Sequence, residues 1–436
     1  MSVLLSAIQF NHDVRSKTSS ALNVRKNASE FVSVPEWRRN VSYRPEDSVA
    51  AYSIEDTRHS TVIIKAEFLR KDTSISSVQI RAVQLPNPSL PLWVRFLPHP
   101  DLLWPQPHYY YSYYDLLNYN AYKSYFEFWQ AWLVTSSNVL GEVKPRVITF
   151  RDNNKSGMRS FELQNVRLSS RYVGVSNVEW LWQYRINSTE SWRDMVTTRH
   201  RIYSLLSLPT EPWKQSPYRS DNTALLWTDV LDFSCHWASG SMSRLGATQR
   251  ITRAINELGG SIFEYGCPVG SVEMYSNALF NIFDCSATIE RLRGDIGNGR
   301  YVNCSDCASM VSTFANSLGC DLWQSRMGKY VPTFATNPIR AIGTEFWGSP
   351  CGWGLGFTFH EVAWTGDCDS DNEIFDASLE VNGSAIPAMA PHIPLLPSNM
   401  RFGLSGDGQY RDRFAAPRDR LICEPIPGER RRRRLV

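Results

Sequence analysis

No cysteine occurs before Cys235, and all nine of the chain's cysteines lie at or after it. An odd number without regular spacing argues against a disulfide framework and fits a reducing compartment, so the sequence predicts a cytoplasmic protein. No run approaches about 18 consecutive apolar residues, which excludes a conventional transmembrane helix. The stretch Met1–Phe10 is apolar but lacks a basic segment and a small-residue cleavage site, and so makes a poor signal peptide. Charge of one sign is scarce too. Lys and Arg total 46 against 43 Asp and Glu, a net charge of +3, too balanced to make nucleic acid the main partner. There is no internal repeat.

Other absences bear on metals. Cys304 and Cys307 form C-x-x-C, but no βαβ pattern flanks them, which argues against a thioredoxin-like redox site. A zinc site would have to recruit Cys351, Cys368 or His360, because no second close C-x-x-C or H-x-x-x-H pair exists. Asp367, Asp369 and Asp371 mimic the start of a calcium loop. Asn372 and Ser378 stand where that loop needs Gly and Glu, so the segment reads as a solvated turn. Neither cofactor nor metal is expected.

What is present is ordinary globular composition, 42% hydrophobic and 20% charged over 436 residues, enough for two or three domains. The front half carries short β-prone runs at 62–68, 78–83, 146–150, 161–163, 179–185 and 201–206. Without helices between them, they predict an all-β sandwich of immunoglobulin-like type over 31–212, after an N-terminal extension at 1–30. A tyrosine- and tryptophan-dense stretch at 104–132 reads as an insertion packing over a domain rather than as a sugar or peptide surface. Leu208–Pro217 breaks strand continuation with its prolines, which puts a linker at 213–220. From 221 the pattern turns helical, at 227–242 and at 247–258 before the Gly259-Gly260 stop.

The most informative segment is Cys304-Ser305-Asp306-Cys307-Ala308. Apolar residues at Cys307, Ala308, Met310, Val311, Phe314, Ala315 and Leu318 have helical spacing with one buried face, and Gly319 follows as a cap. Cys304 then sits on the first turn, where free N–H groups and the helix dipole favour thiolate. Cys307 falls on the apolar face and reads as core. Further on, 356–364 and 373–381 read as two strands joined by a turn. A hairpin centred near Cys368 places His360 and Asp376 directly opposite each other, eight residues either side. A thiol, an imidazole and a carboxylate in this arrangement are an activated nucleophile, a base and its orienter.

C-x-D-x-A followed by an apolar helix and Leu318-Gly319, with His360-Glu361-Val362-Ala363-Trp364 and Ile374-Phe375-Asp376 downstream, resembles the transglutaminase-like superfamily. The resemblance covers roughly 221–385 and implies a papain-like α+β fold with Cys304 as nucleophile, His360 as base and Asp376 as orienter. It implies a cysteine-dependent acyl-transfer enzyme acting on peptide or glutamine carboxamide bonds of a protein or peptide substrate. Hydrolysis is the default, because no acceptor-amine site is visible. The alternatives are a protein-glutamine transamidase, or a non-catalytic binding protein with a papain-like domain. Residues 386–436 read as a proline-rich tail, and its Arg430–Arg434 run is a solvated end open to weak contact with an anionic surface.

Overall fold

Val178, Trp180, Trp182 and Tyr184 are buried while the residues between them are only partly so, a period of two that sets one face of a strand against a core. The computed structural model, which describes residues 2–10, 21–22, 24–30, 36–39, 49–55, 62–85, 140–165, 168, 172–213, 225–267, 272–329, 331–345, 347–348, 351, 356–381 and 400–436, has a mixed α+β architecture with many strands and few helices. It divides into two compact units, one drawn from Met1–Leu22 and Val34–Ser204, the other from Asn23–Ser33 and Leu205–Val436.

The first unit contains β1 (Val3–Phe10), β2 (Glu36–Arg38), β3 (Val49–Ser53), β4 (Ile64–Arg70), β5 (Ser77–Gln84), β6 (Val143–Thr149), β7 (Arg159–Phe161), β8 (Gly174–Arg185) and β9 (Arg193–Leu205). They form a four-stranded sheet in the order β2-β1-β4-β7 and a five-stranded sheet in the order β3-β9-β8-β5-β6. Both contribute to one apolar cluster that includes Ile8, Phe10 and Phe68 from the first sheet and Ile80, Trp180 and Trp182 from the second. The buried indoles are satisfied, Trp180 Nε1 donating to the Gly141 carbonyl and Trp182 Nε1 to Thr198 Oγ1, each at 3.0 Å. Pro145 is tolerated because β6 lies at a sheet edge.

Two expectations about this region need correction. Residues 1–30 are not an extension. β1 lies between two neighbours in the four-stranded sheet, with Val3, Leu5, Ile8 and Phe10 wholly buried. Residues 23–33 belong to the second unit, where Val24 and Arg25 pair in parallel with Leu226 and Trp227. The unit changes at 204–205, not at 213–220, for Trp213 is buried with its indole N–H donating to the Thr313 carbonyl at 2.8 Å. The aromatic stretch 104–132 and the proline-rich 386–397 lie outside the described residues.

The second unit is organised around one helix. Its helices are α1 (Thr228–Trp237), α2 (Arg244–Glu257), α3 (Cys285–Leu292), α4 (Cys304–Ser317) and α5 (Tyr410–Phe414). Its strands include β10 (Ser276–Asn277), β11 (Ile282–Phe283), β12 (Trp323–Met327), β13 (Ile339–Ala341), β14 (His360–Trp364), β15 (Ile374–Phe375), β16 (Leu379–Val381) and β17 (Arg434–Leu435). α4 packs on the sheet β12-β14-β15 and against α1 and α2. Every one of its residues is buried, so the single buried face expected from periodicity is too narrow a reading. Its hydroxyls enter the core because they bond inward. Ser309 donates to the Ser305 carbonyl at 2.6 Å and Ser312 to that of Ala308 at 2.8 Å.

The chain end is not a solvated tail. β17 adds in parallel to β11, and Arg430, Arg431, Arg432 and Arg433 all hold partners. Arg430 and Arg432 also lie over the Trp323 ring, 4.3 and 3.8 Å from its centroid. Arg433 is wholly buried. Composition shows five positive charges in a row, whereas the fold supplies Arg430, Arg431, Arg432 and Arg433 with acids. Among the described residues no helix is long and apolar enough to cross a membrane.

Gly319 ends α4 with φ +84°, while the Gly319 N–H donates to Asn316 and the Cys320 N–H to Ala315. A Cβ there would lie 2.7 Å from both the Leu208 carbonyl oxygen and the Ser207 Cβ. Gly319→Ala is therefore expected to lower unfolding free energy by about 2–3 kcal/mol, combining left-handed strain with a backbone clash. Denaturant titration checks this, and an unchanged midpoint would contradict the capping role.

Candidate active site

Asn303 caps α4 by accepting from the Asp306 N–H at 3.0 Å, and Asp306 returns the bond by accepting from the Asn303 N–H at 3.1 Å. The Asp306 carboxylate also takes the N–H groups of Met274, Tyr275 and Ser276, at 3.0, 3.0 and 2.7 Å, together with the Ser276 hydroxyl at 2.7 Å. Burial pushes its pKa up against those bonds. This residue fixes the start of the helix and docks β10 onto it. Cys304 is the first helical residue, 6% exposed. Cys307, one turn on and 1% exposed, is a different thiol: burial pushes it well up, and the charges of Asp306, Asp376 and Cys304 add to the rise.

His360 opens β14, and Asp376 follows the short β15. The ladder pairs Ala363 with Phe375, where the symmetric hairpin would pair it with Glu373. The register is thus two residues away from the sequence expectation, which keeps the same face, and Asp376 reaches His360 from a diagonal position. The two side chains meet through His360 Nε2 and Asp376 Oδ2 at 2.9 Å. The expected single strand 373–381 is broken at this point. Asp376 Oδ1 accepts the N–H groups of Ser378 and Leu379, at 2.8 and 3.1 Å, and the Ser378 hydroxyl at 2.7 Å. That local turn takes the chain off the ladder and into β16, which pairs with β13.

Burial alone would strip the proton from His360. The Asp376 charge and hydrogen bond, joined by a hydrogen bond and charge from Cys304, outweigh it and lift the imidazole to about 10. Burial would likewise raise Asp376, but His360, Ser378 and Tyr410 hold its carboxyl below the usual range. Nε2 is committed to Asp376. Nδ1 is buried without a hydrogen-bond partner of good geometry, although the Cys304 thiol is near enough to act on the ring. Cys304, His360 and Asp376 are therefore brought together, and the site is enclosed, at 6, 0 and 3% exposure, rather than set at the edge of an open cleft.

Sequence reasoning missed the C-terminal contribution. Tyr410 donates its hydroxyl to Asp376 Oδ2 at 2.8 Å, and burial followed by the Asp376 charge keeps that phenol protonated far above its ordinary value. Phe414 tilts onto the His360 ring at 4.9 Å between centroids, with Phe357 edge-on at 5.7 Å. Both Tyr410 and Phe414 lie on α5, a five-residue helix whose only sequence signal is two aromatics four apart after a glycine-rich turn.

Among the described residues, no group of three or more His, Cys, Asp and Glu is placed to hold a metal ion. Cys351 is bonded to Cys267, so one disulfide exists where the count and spacing argued against a framework. The partners lie 84 residues apart, beyond anything local spacing reveals. Disulfides persist in oxidising surroundings, which removes the support that cysteine usage lent to a reducing compartment. The other seven cysteines are outside any disulfide and buried. No protein-family model and no curated protein matches the chain. The functional reading rests on the site's own geometry.

The two pKa shifts act on stability in opposite directions. Asp376, depressed on folding, contributes stability above the ordinary aspartate value of about 3.9 that is lost as pH falls through its lower folded value. His360, raised on folding, contributes stability below 6.5 that is lost as pH rises through about 10. Wild-type protein should therefore lose stability between about pH 7 and pH 10 more steeply than His360→Gln. Urea unfolding across that range checks it, and parallel curves would rule out the His360 shift.

Proposed function

We propose that the second unit is a cysteine-dependent acyl-transfer enzyme of transglutaminase-like type with a papain-like arrangement, and that the two-sheet unit is an immunoglobulin-like sandwich. The observation that carries the reading is the enclosed trio of a helix-initiating Cys304, His360 beside it, and Asp376 on the opposite ring nitrogen. Asp376 fixes the imidazole, so Nδ1 is the atom that takes the Cys304 proton. The Cys304 sulfur then bonds to the carbonyl carbon of a peptide or glutamine carboxamide, and the carbonyl π pair moves onto oxygen. The Cys304 N–H, at a helix position with no intrahelical acceptor, faces developing negative charge in a low-dielectric site. Collapse breaks the carbon–nitrogen bond, and the nitrogen leaves with the proton from His360.

Water completes the reaction by giving its proton to His360 and its oxygen to the thioester, which releases the acid and restores the thiol. An amine in place of water would give transamidation. Hydrolysis remains the proposed outcome, with a protein or peptide as substrate. Exclusion of solvent strengthens each charge interaction of the site.

Casein incubated with the protein separates the reactions. Ammonia with neither new amino termini nor incorporated amine marks deamidation, new amino termini mark proteolysis, and incorporation of a dansylated primary amine marks transamidation. Cys304→Ala is expected to abolish whichever signal appears while leaving stability nearly intact. Cys307→Ala should retain the signal and lose about 1 kcal/mol of stability from the small void. Iodoacetamide labelling should select Cys304 and collapse in His360→Ala. Equal labelling of several cysteines, unaffected by His360→Ala, would favour a non-catalytic binding protein.

A further inference from the structure

The residues that directly follow the nucleophile and the base are joined to each other. Ser305 donates its hydroxyl to Glu361 Oε2 at 2.7 Å, both side chains wholly buried. Successive residues of a strand point to opposite faces, so His360 and Glu361 project from the two sides of β14 while Cys304 and Ser305 begin α4. One hydrogen bond thus spans helix and strand immediately behind the proposed reacting pair.

Arg433 closes this connection from the far end of the chain. Its Nη1 and Nη2 donate to the two Glu361 carboxylate oxygens at 2.7 and 3.0 Å. Nη1 also reaches Ser309 on α4 and Gln324 on β12, both at 3.0 Å. Arg326 and Arg431 face Glu361 at 3.4 and 3.9 Å, and Glu273 faces Arg433 at 3.8 Å. Burial would raise the Glu361 carboxyl, but Arg433, Arg431 and Ser305 bring it below its usual range.

Such a pair is a poor choice for stability alone. Desolvating two ions costs several kcal/mol, and apolar side chains of similar volume often do as well or better. Arg433 Nε is moreover buried without a hydrogen-bond partner. What the pair supplies that apolar side chains cannot is direction, because a two-toothed guanidinium–carboxylate contact fixes both angle and distance. We infer that Glu361 and Arg433 are positioning residues that, through Ser305, set the Cys304 sulfur against the His360 ring, so that residues 400–436 form part of the catalytic unit. The inference rests on the acyl-transfer reading and adds to it.

The test follows iodoacetamide alkylation of Cys304 against pH, with Cys304→Ser as background. It compares wild type, Ser305→Ala, and the double variant Glu361→Met with Arg433→Met. The double variant removes both charges, so no unpaired ion is left buried, and thermal unfolding verifies that it folds. Alkylation at about pH 6 should fall about tenfold or more in the double variant and by a smaller factor in Ser305→Ala, both folded cooperatively. Arg433→Lys, which keeps the charge but not the fork, should fall between wild type and the double variant. Wild-type rates in folded Ser305→Ala and double-variant proteins would overturn the positioning role alone. Absence of His360-dependent alkylation at about pH 6 in wild type would overturn the acyl-transfer reading and this inference together.

Discussion

Buried charge is the constraint from which the second unit is built. Asp306, His360, Glu361, Asp376 and Arg433 are all 6% exposed or less by virtue of lying around one helix and one strand. An ion withdrawn from water costs several kcal/mol unless charges or hydrogen bonds replace the solvent. Each of these groups therefore dictates where other chain segments run. Asp306 draws Met274–Ser276 onto the start of α4, Asp376 draws Tyr410, and Glu361 draws Arg433. Segments distant in sequence converge because each carries the group that another buried ion lacks.

The same constraint separates two cysteines only three residues apart. Cys307 lies buried one turn into the helix, where burial and the nearby Asp306 and Asp376 carboxylates oppose ionisation. Cys304 shares the helix but stands at its first position, beside an imidazole that stays protonated well above neutral pH. Their surroundings differ because they occupy opposite ends of one helical turn. Identity of residue counts for little here.

Much of this was legible in the sequence, and the limits have physical causes. α4 could be read from its apolar spacing and Gly319, because caps and periodicity are local signals. Six strand runs of the first unit were legible for the same reason, and the strands extend beyond each run's edge at one or both ends. β1 was not recognised, since Val3–Phe10 lacks the strict alternation of apolar and polar residues that marks a half-buried strand. Arg430–Arg434 misled because composition records charge without recording partners. Tyr410, Phe414 and Arg433 were invisible as site residues, because their contacts with Asp376, His360 and Glu361 span 34, 54 and 72 residues.

Asp376 shows how closely fold and candidate chemistry are bound together. One oxygen accepts three bonds from Ser378 and Leu379 and so ends the β15 ladder, while the other receives His360 and Tyr410. Had the strand continued unbroken from 373 to 381, the first oxygen would have lost its turn donors. The carboxylate would then have been a buried ion with half its lone pairs unmet, which favours protonation and weakens its hold on the imidazole. Breaking the strand thus adds the Ser378 bond to the His360 charge and hydrogen bond that hold Asp376 ionised. The irregularity that made the hairpin register hard to read in the sequence is the feature that equips the carboxylate to orient His360.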